Sequence, residues 1–366
     1  MSLSRLEVTQ FRNLEPAIVD FPGQVTGVFG ANGSGKTSLL EAIYCLSTGR
    51  SFRVGQPSSM IQHGKESHLV RGRLSSGEWL AVERGTTQAI RARINHEVVT
   101  QTSSLAEALP VEVMDPTTIE LLLGEPERRR RLINWGLFHV KPAFRLAWQQ
   151  ASRALKQRNA CLRVPGSGSS REWLEVYARH GEAIHELRAQ HVKDLAHSFA
   201  AWLELFDWPN EVTLDYRKGW ASECTLKEAL LESEESDKER GFTQRGVHRA
   251  DLVVRVGRHP ASLVSSRGEV KMLAWLLKLA QLGLLPGELQ NQTVLLLDDF
   301  SSELDEKNGR RLAETLMTLP FQIILTSASL EAANRHWGGH LARVFHVKQG
   351  IIVETGGLSY DRRKNL

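Results

Sequence analysis

Val28-Phe29-Gly30-Ala31-Asn32-Gly33-Ser34-Gly35-Lys36-Thr37-Ser38 runs directly into Leu39-Leu40-Glu41-Ala42-Ile43. Gly30, Gly35, Lys36 and Thr37 satisfy the spacing G-x-x-x-x-G-K-[ST]. The flanks agree: residues 25–29 read as a strand, and Leu39, Leu40, Ile43 and Leu46 recur on one helical face. A strand, a phosphate loop and a helix are expected in that order. Glycines let the chain curl so that the backbone of Gly30, Ala31, Asn32, Gly33, Ser34 and Gly35 can turn its N–H groups toward a polyphosphate. The helix beginning near Lys36 adds the positive end of its dipole. Lys36 is expected to hold β- and γ-phosphate oxygens, and Thr37 to offer its hydroxyl to Mg²⁺.

Working outward, Val294-Leu295-Leu296-Leu297-Asp298-Asp299 is an apolar run closed by two carboxylates. A parallel strand buried on both faces reads this way, and ligands of open α/β sheets lie at its C-terminal end. Asp298 is expected to bind Mg²⁺ opposite Thr37, and Asp299 to orient or deprotonate an attacking water. Arg12, one strand before the loop, is a candidate neighbour of the nucleotide. Ser265-Ser266-Arg267-Gly268-Glu269 opens an apolar helix and offers a hydroxyl and free N–H groups as a second anion site. Thr326-Ser327 closes the strand after the carboxylates, where a hydroxyl could meet the γ-phosphate.

The 366 residues suffice for two or three lobes with their own cores. A formal charge of +4 permits nucleic acid without demanding it. Met1-Ser2-Leu3-Ser4-Arg5 lacks the apolar core of a signal peptide, and residues 272–285, the most apolar helix, are interrupted by Lys278 and Gln281. The three cysteines are scattered without a C-x-x-C pair, so a reduced cytoplasmic setting is expected and a membrane is not.

Residues 6–11 alternate as a strand, and 68–74, 79–83 and 88–94 suggest an antiparallel meander. Residues 111–114 read as a buried strand. From 127 to about 206 the pattern is helical, with a break at Pro165-Gly166-Ser167-Gly168-Ser169-Ser170, which predicts a hairpin of two short helices. Strands are expected again at 212–216, 251–256, 321–325, 341–346 and 351–353, with helices at 267–284 and 306–319. The acidic run from Glu232 to Glu239 reads as a solvated face.

This order of motifs resembles the ATP-binding-cassette ATPases of the SMC-like branch and, within it, the RecF family of bacterial recombination proteins. The blocks that carry the resemblance include the phosphate loop, Gly49-Arg50-Ser51-Phe52-Arg53, Gly124-Glu125-Pro126, Leu155-Lys156-Gln157-Arg158-Asn159, Gly246-Val247-His248-Arg249-Ala250-Asp251, Ser266-Arg267-Gly268 and Asp298-Asp299-Phe300-Ser301-Ser302-Glu303-Leu304-Asp305. The resemblance implies an α/β cassette head. Lobe I, a mixed sheet with the phosphate loop, spans 1–114 and 290–366; a helical lobe II with a short antiparallel hairpin spans 115–289.

It further implies ATP as the nucleotide and an ATP-dependent homodimer in which Ser266 and Gly268 face the ATP of the opposite subunit, with Ser302 and Asp305 at the dimer contact. Two residues depart from the common cassette pattern: Glu269 replaces the usual glutamine, and Asp299 stands where glutamate is frequent. The shorter Asp299 predicts slow turnover. Candidate DNA-phosphate contacts are Arg128, Arg129, Arg130 and Arg131, Lys156 and Arg158, with Arg71, Arg73, Arg91 and Arg93 in the meander. The family context implies duplex, single-stranded and gapped DNA, the partners RecR and RecO, recombinase loading, replication restart and SOS induction. The alternative is an ATPase subunit of a membrane transporter.

Overall fold

The computed structural model describes residues 2–53, 55–86, 90–163 and 170–356. Gln88 and Ala89, at the start of the expected third meander strand, and residues 165–169 of the hairpin break lie outside them. In chain order the strands are β1 Leu3–Thr9, β2 Ala17–Asp20, β3 Val25–Phe29, β4 Ser67–Leu74, β5 Trp79–Gly85, β6 Arg91–Ile94, β7 Glu97–Val99, β8 Val111–Met114, β9 Val212–Arg217, β10 Asp251–Val256, β11 His259–Pro260, β12 Val294–Leu297, β13 Gln322–Ser327, β14 Arg343–Lys348 and β15 Ile351–Gly356. The chain divides into two compact units, one of Met1–Pro116 with Gly287–Leu366, the other of Thr117–Pro286.

The first unit holds two six-stranded sheets. One is antiparallel in the order β2-β1-β4-β5-β6-β7; the other runs β15-β14-β3-β13-β12-β8. In the second, β8, β12, β13, β3 and β14 pair in parallel and only β15 turns back. Every residue of β12 and β13 is buried. This explains why the Val294–Leu297 run shows no alternation. The helix Lys36–Thr48 sends Leu39, Leu40, Ile43 and Leu46 into one cluster with Leu6, Val8, Val70 and Leu80 of the antiparallel sheet and with Val294, Leu296 and Ile324 of the parallel one. Each fully buried side chain of this size stabilises the unit by about 1.5–3 kcal/mol. The phosphate-loop helix is thereby fixed from both sides. β2 and β7 have no counterpart in the sequence reading; they are short pieces at the sheet margins, with too few residues for a period to register.

The second unit is built from the helices Pro126–Val140, Pro142–Arg163, Ser170–Leu205 and Arg267–Gly283, with the antiparallel sheet β11-β10-β9. Pro126 and Pro142 occupy first helical positions, where a missing N–H costs nothing. The hairpin arms are unequal, 22 and 36 residues, so the second is not short. It runs on past its partner against the helix Arg267–Gly283: Ser198 donates to the Ala280 carbonyl at 2.9 Å, and His191 lies 3.0 Å from Gln281. Gly181 interrupts nothing, because Leu226 fills the space a side chain would take.

The acidic run is not wholly solvated. Asp237 is fully buried and receives Arg158 Nη1 at 2.8 Å.

Candidate nucleotide site

Because β3, β13 and β12 are adjacent and parallel, their C-terminal ends share one edge of the sheet. The phosphate loop leaves β3, Asp298 follows β12, and Thr326 lies near the end of β13 between them. Thr37 Oγ1 donates to Asp298 Oδ1 at 3.0 Å, and Thr326 Oγ1 donates to the same oxygen at 2.7 Å. Thr326 also accepts from the Asp299 N–H at 2.8 Å and is fully buried, so it orients the two aspartates rather than meeting a phosphate. Ser327 is likewise buried, its hydroxyl on Ser301.

The loop is braced by residues outside the motif. Asn13 Nδ2 donates to the Gly33 carbonyl at 3.0 Å, Ser38 Oγ donates to Asn13 Oδ1 at 2.7 Å, and the Gly350 N–H donates to the Ser34 carbonyl at 2.8 Å. Gly33 and Gly35 have φ of 76° and 120°, conformations that need glycine. Lys36 Nζ donates to the Gly30 and Ala31 carbonyls at 2.7 and 3.0 Å, and burial holds its pKa below the usual lysine value despite Asp299 and Asp298. Burial likewise raises Asp298, against the hydrogen bonds from Thr326 and Thr37. Ser34 Oγ is buried without a partner. A cavity of about 410 Å³ opens here, lined by Gly33, Gly35, Lys36 and Thr37 of the loop and by Arg12, Asn13, Arg53 and His63 from outside it.

Arg12 therefore does reach the loop's cavity, but its Nε and Nη2 are forked onto Glu41 at 2.9 and 2.6 Å. Arg53 and Asn13, which the motif search did not assign to the site, share the lining. A backbone φ of 55° at Asp299 turns its side chain so that Oδ2 accepts the Ser302 hydroxyl at 2.6 Å. Asp305 caps the helix Glu306–Met317 by accepting from the Asn308 N–H at 3.0 Å, and that bond keeps its carboxyl below the ordinary range.

Ser266 and Gly268 belong to the second unit and are exposed. Ser266 caps its helix reciprocally with Glu269: the Ser266 N–H donates to Glu269 Oε2 at 2.7 Å and the Glu269 N–H to Ser266 Oγ at 3.3 Å. That backbone bond lowers the Glu269 pKa. The unexpected carboxylate is thus engaged within its own helix turn, as the usual glutamine's amide oxygen would be.

Two candidate DNA contacts are corrected. Arg158 is 1% exposed, bound to Asp237 and to Thr243. Arg129 is buried, forked onto Asp251 and donating to the carbonyls of Leu121 and Gly124. Neither can face a phosphate, and their pairing partners lie too far along the chain for a local charge count to find. Arg130 is half-buried on the Ala250 carbonyl. Arg128 is half-buried, Arg131 is exposed in a pair with Glu127, and Lys156 is exposed.

Among the described residues no three His, Cys, Asp or Glu gather into a metal cluster. The hydroxyl of Thr37 and the carboxylate of Asp298 instead form a pair of hard oxygen donors beside a phosphate loop, the kind of sparse protein set that suits Mg²⁺ completed by phosphates and water.

A parallel sheet presenting phosphate loop and paired aspartates on one edge, an appended antiparallel sheet and a helical unit with a capped serine define a cassette-type ATPase head of the SMC kind. The "RecF/RecN/SMC N terminal domain" family matches residues 2–353. The chain belongs to the RecF family: it is 36% identical over 362 residues to the DNA replication and repair protein RecF of Pseudomonas savastanoi pv. phaseolicola, covering 97% of this chain and 99% of that protein, and equally similar over the same spans to RecF of Azotobacter vinelandii. In fold it matches a solved recombination mediator protein, RecF-ATP of the RecFOR pathway, with a TM-score of 0.86 at 24% identity over 97% of this chain and 98% of that one. An SMC head bound to the C-terminal winged-helix domain of ScpA matches at 0.59 and 15% identity, over 97% of this chain and 98% of that one. The transporter alternative is not favoured by relatives that match from end to end. No helix among the described residues is long and apolar enough to cross a membrane.

Proposed function

We propose that this chain is an ATP-dependent DNA-binding protein of replication and recombinational repair, acting in the cytoplasm. The observation that carries the reading is the meeting of Thr37 and Asp298 at 3.0 Å beside Lys36. The unpartnered Ser34 hydroxyl and the open space at Gly33 fit a polyphosphate in the loop. Lys36 would exchange its loop carbonyls for β- and γ-phosphate oxygens, and Thr37 and Asp298 would hold Mg²⁺. When bound, Mg²⁺ neutralises charge on the β/γ-phosphates. Asp299 accepts a proton from, or orients, the attacking water; the short side chain makes this a slow ATPase.

The first unit serves as lobe I and the second as lobe II. Ser266 and Gly268, exposed on a helix start, face the nucleotide of a second copy, with Ser302 and Asp305 at the contact between copies. ATP then favours a homodimer and hydrolysis releases it. The DNA surface is drawn from Arg128, Arg131 and Lys156. The helix Pro142–Arg163 supports this, for it contains no Asp or Glu and exposes Arg153, Lys156 and Arg163. Duplex, single-stranded and gapped DNA are the expected ligands, RecR and RecO the partners in recombinase loading, and SOS induction the downstream effect.

Sedimentation with and without Mg²⁺-ATP and gapped DNA tests the reading. ATP should shift the chain from monomer to dimer, and Lys36→Arg and Ser266→Arg should abolish the shift. A wild-type monomer that binds ATP and never dimerises refutes it.

A further inference from the structure

Glu41 lies one turn beyond Thr37 on the phosphate-loop helix and is fully buried. Its carboxylate is not an orphan in the core. It takes the fork from Arg12, accepts the Ser51 hydroxyl on Oε1, and has Arg53 Nη1 at 3.7 Å from Oε2. Ser51 in turn accepts from the Arg53 N–H at 2.9 Å, which fixes the segment bearing that arginine. Arg12 itself sits at a φ of 53°, a conformation that a side chain of this size adopts only when its surroundings demand it. Both arginines line the 410 Å³ cavity together with Lys36, and no carboxylate is among the lining residues.

Three cations around one cavity repel one another and, without a counter-charge, would turn their heads toward water. Asp299 and Asp298 offset the charge of Lys36, and the buried Glu41 carboxylate offsets that of the two arginines while its two oxygens dictate where the guanidiniums lie. The fork uses two of Arg12's donors and leaves Nη1 free of any bond to Glu41. Arg12, Arg53 and Glu41 together keep one positive charge on this side of the loop, which suits an anionic phosphate tail and not a neutral nucleoside. We infer that Glu41 is a positioning residue of the nucleotide site: acting through Arg12 and Arg53, it makes affinity rise with the number of phosphates on the ligand. This rests on the proposed ATP site and adds to it how the tail is counted.

The test measures dissociation constants for Mg²⁺-ATP, Mg²⁺-ADP and AMP on the full chain by calorimetry. Glu41→Gln keeps the shape and can still accept the Ser51 hydroxyl, but it removes the charge and one acceptor of the Arg12 fork; the ratio of ATP to AMP affinity should fall about tenfold while AMP binding barely moves. Arg12→Lys, which keeps the charge and loses the fork, should reproduce most of that fall and serves if Glu41→Gln does not fold. Adding Glu41→Gln to an Arg12→Gln, Arg53→Gln background should cost nothing further in the ratio. An unchanged ratio in Glu41→Gln and Arg12→Lys overturns the inference, as does an undiminished effect of Glu41→Gln in that background. Failure of wild type to bind Mg²⁺-ATP at all would instead refute the proposed function.

Discussion

Ser302 donates its hydroxyl to Asp299 Oδ2 at 2.6 Å and to the Asp299 carbonyl at 3.0 Å, so the side chain assigned to the contact between copies also holds the carboxylate assigned to water. Asp299 is also tied through its N–H to Thr326 and through its carbonyl, which accepts the Ser302 N–H at 3.0 Å. Ser302→Ala removes the restraint without altering charge. Turnover of ATP should fall about tenfold, about 1.5 kcal/mol in barrier for one hydrogen bond to a charged group, with KM for ATP unchanged. Steady-state kinetics check this, and a variant with raised KM and normal kcat would separate Ser302 from Asp299.

Lys156 and Arg158 are two residues apart, and the structure exposes the first and buries the second. Arg158 bonds to Asp237, which is 79 positions away and fully buried. Arg158→Ala leaves Asp237 charged and unpaired in the core, a loss on the order of 3–5 kcal/mol. Lys156→Ala should leave stability within about 0.5 kcal/mol and reduce the slope of log affinity for duplex DNA against log salt by about 0.9. Denaturant unfolding and salt titration of DNA binding measure the two effects separately.

The difference between that pair marks where sequence reading stops. The phosphate loop is local chemistry: Gly30 to Thr37 and the apolar positions after them declare strand, turn and helix within twenty residues. Asp298 is almost as legible, because four consecutive fully buried residues leave the polar residue that follows at the sheet edge. Thr326 is visible as a strand end, yet its task of aligning two aspartates depends on which strand lies beside which, and no local pattern encodes strand order. Glu41 lies inside the stretch read as the phosphate-loop helix and Arg53 inside a block noted only for its family resemblance; their meaning comes from each other and from Arg12. A run of carboxylates looks alike whether every member meets water or one, Asp237, turns inward to an arginine in another helix. Chain periodicity reports the face of an element and not its partner.

Glu269 departs from the glutamine common in cassette signature motifs, but its carboxylate is occupied by the Ser266 N–H. Glutamine can accept the same bond, so Glu269→Gln should hold thermal stability within about 0.5 kcal/mol, whereas Glu269→Ala should lose about 1 kcal/mol of helix capping. Because the carboxylate is spent on its own turn, Glu269→Gln should raise ATP-driven dimerisation less than twofold. A large gain in dimerisation would mean that its charge is felt by the nucleotide of the second copy.

His68 has the clearest acid-stability consequence. It is 1% exposed on β4 with its ring edge-on to Phe11, and neither ring nitrogen has a hydrogen-bond partner. Burial first, and Arg84 second, push its pKa down to about 4. The unfolded chain takes up its proton near pH 6.5 and the folded chain only near pH 4. Its contribution is therefore fully present above pH 6.5 and is lost as pH falls through the window toward 4, at up to about 1.4 kcal/mol per pH unit. His139 and His248, also held near 4 by burial, steepen the same limb in the second unit. His68→Leu removes a titrating group that satisfies no bond and keeps the contact with Phe11. Its stability at pH 8 should equal or exceed wild type, and its loss between pH 6.5 and 4 should be smaller by about 3 kcal/mol. Urea unfolding at half-unit pH intervals gives both numbers; parallel wild-type and variant curves would mean that the folded protein admits the proton at His68 after all.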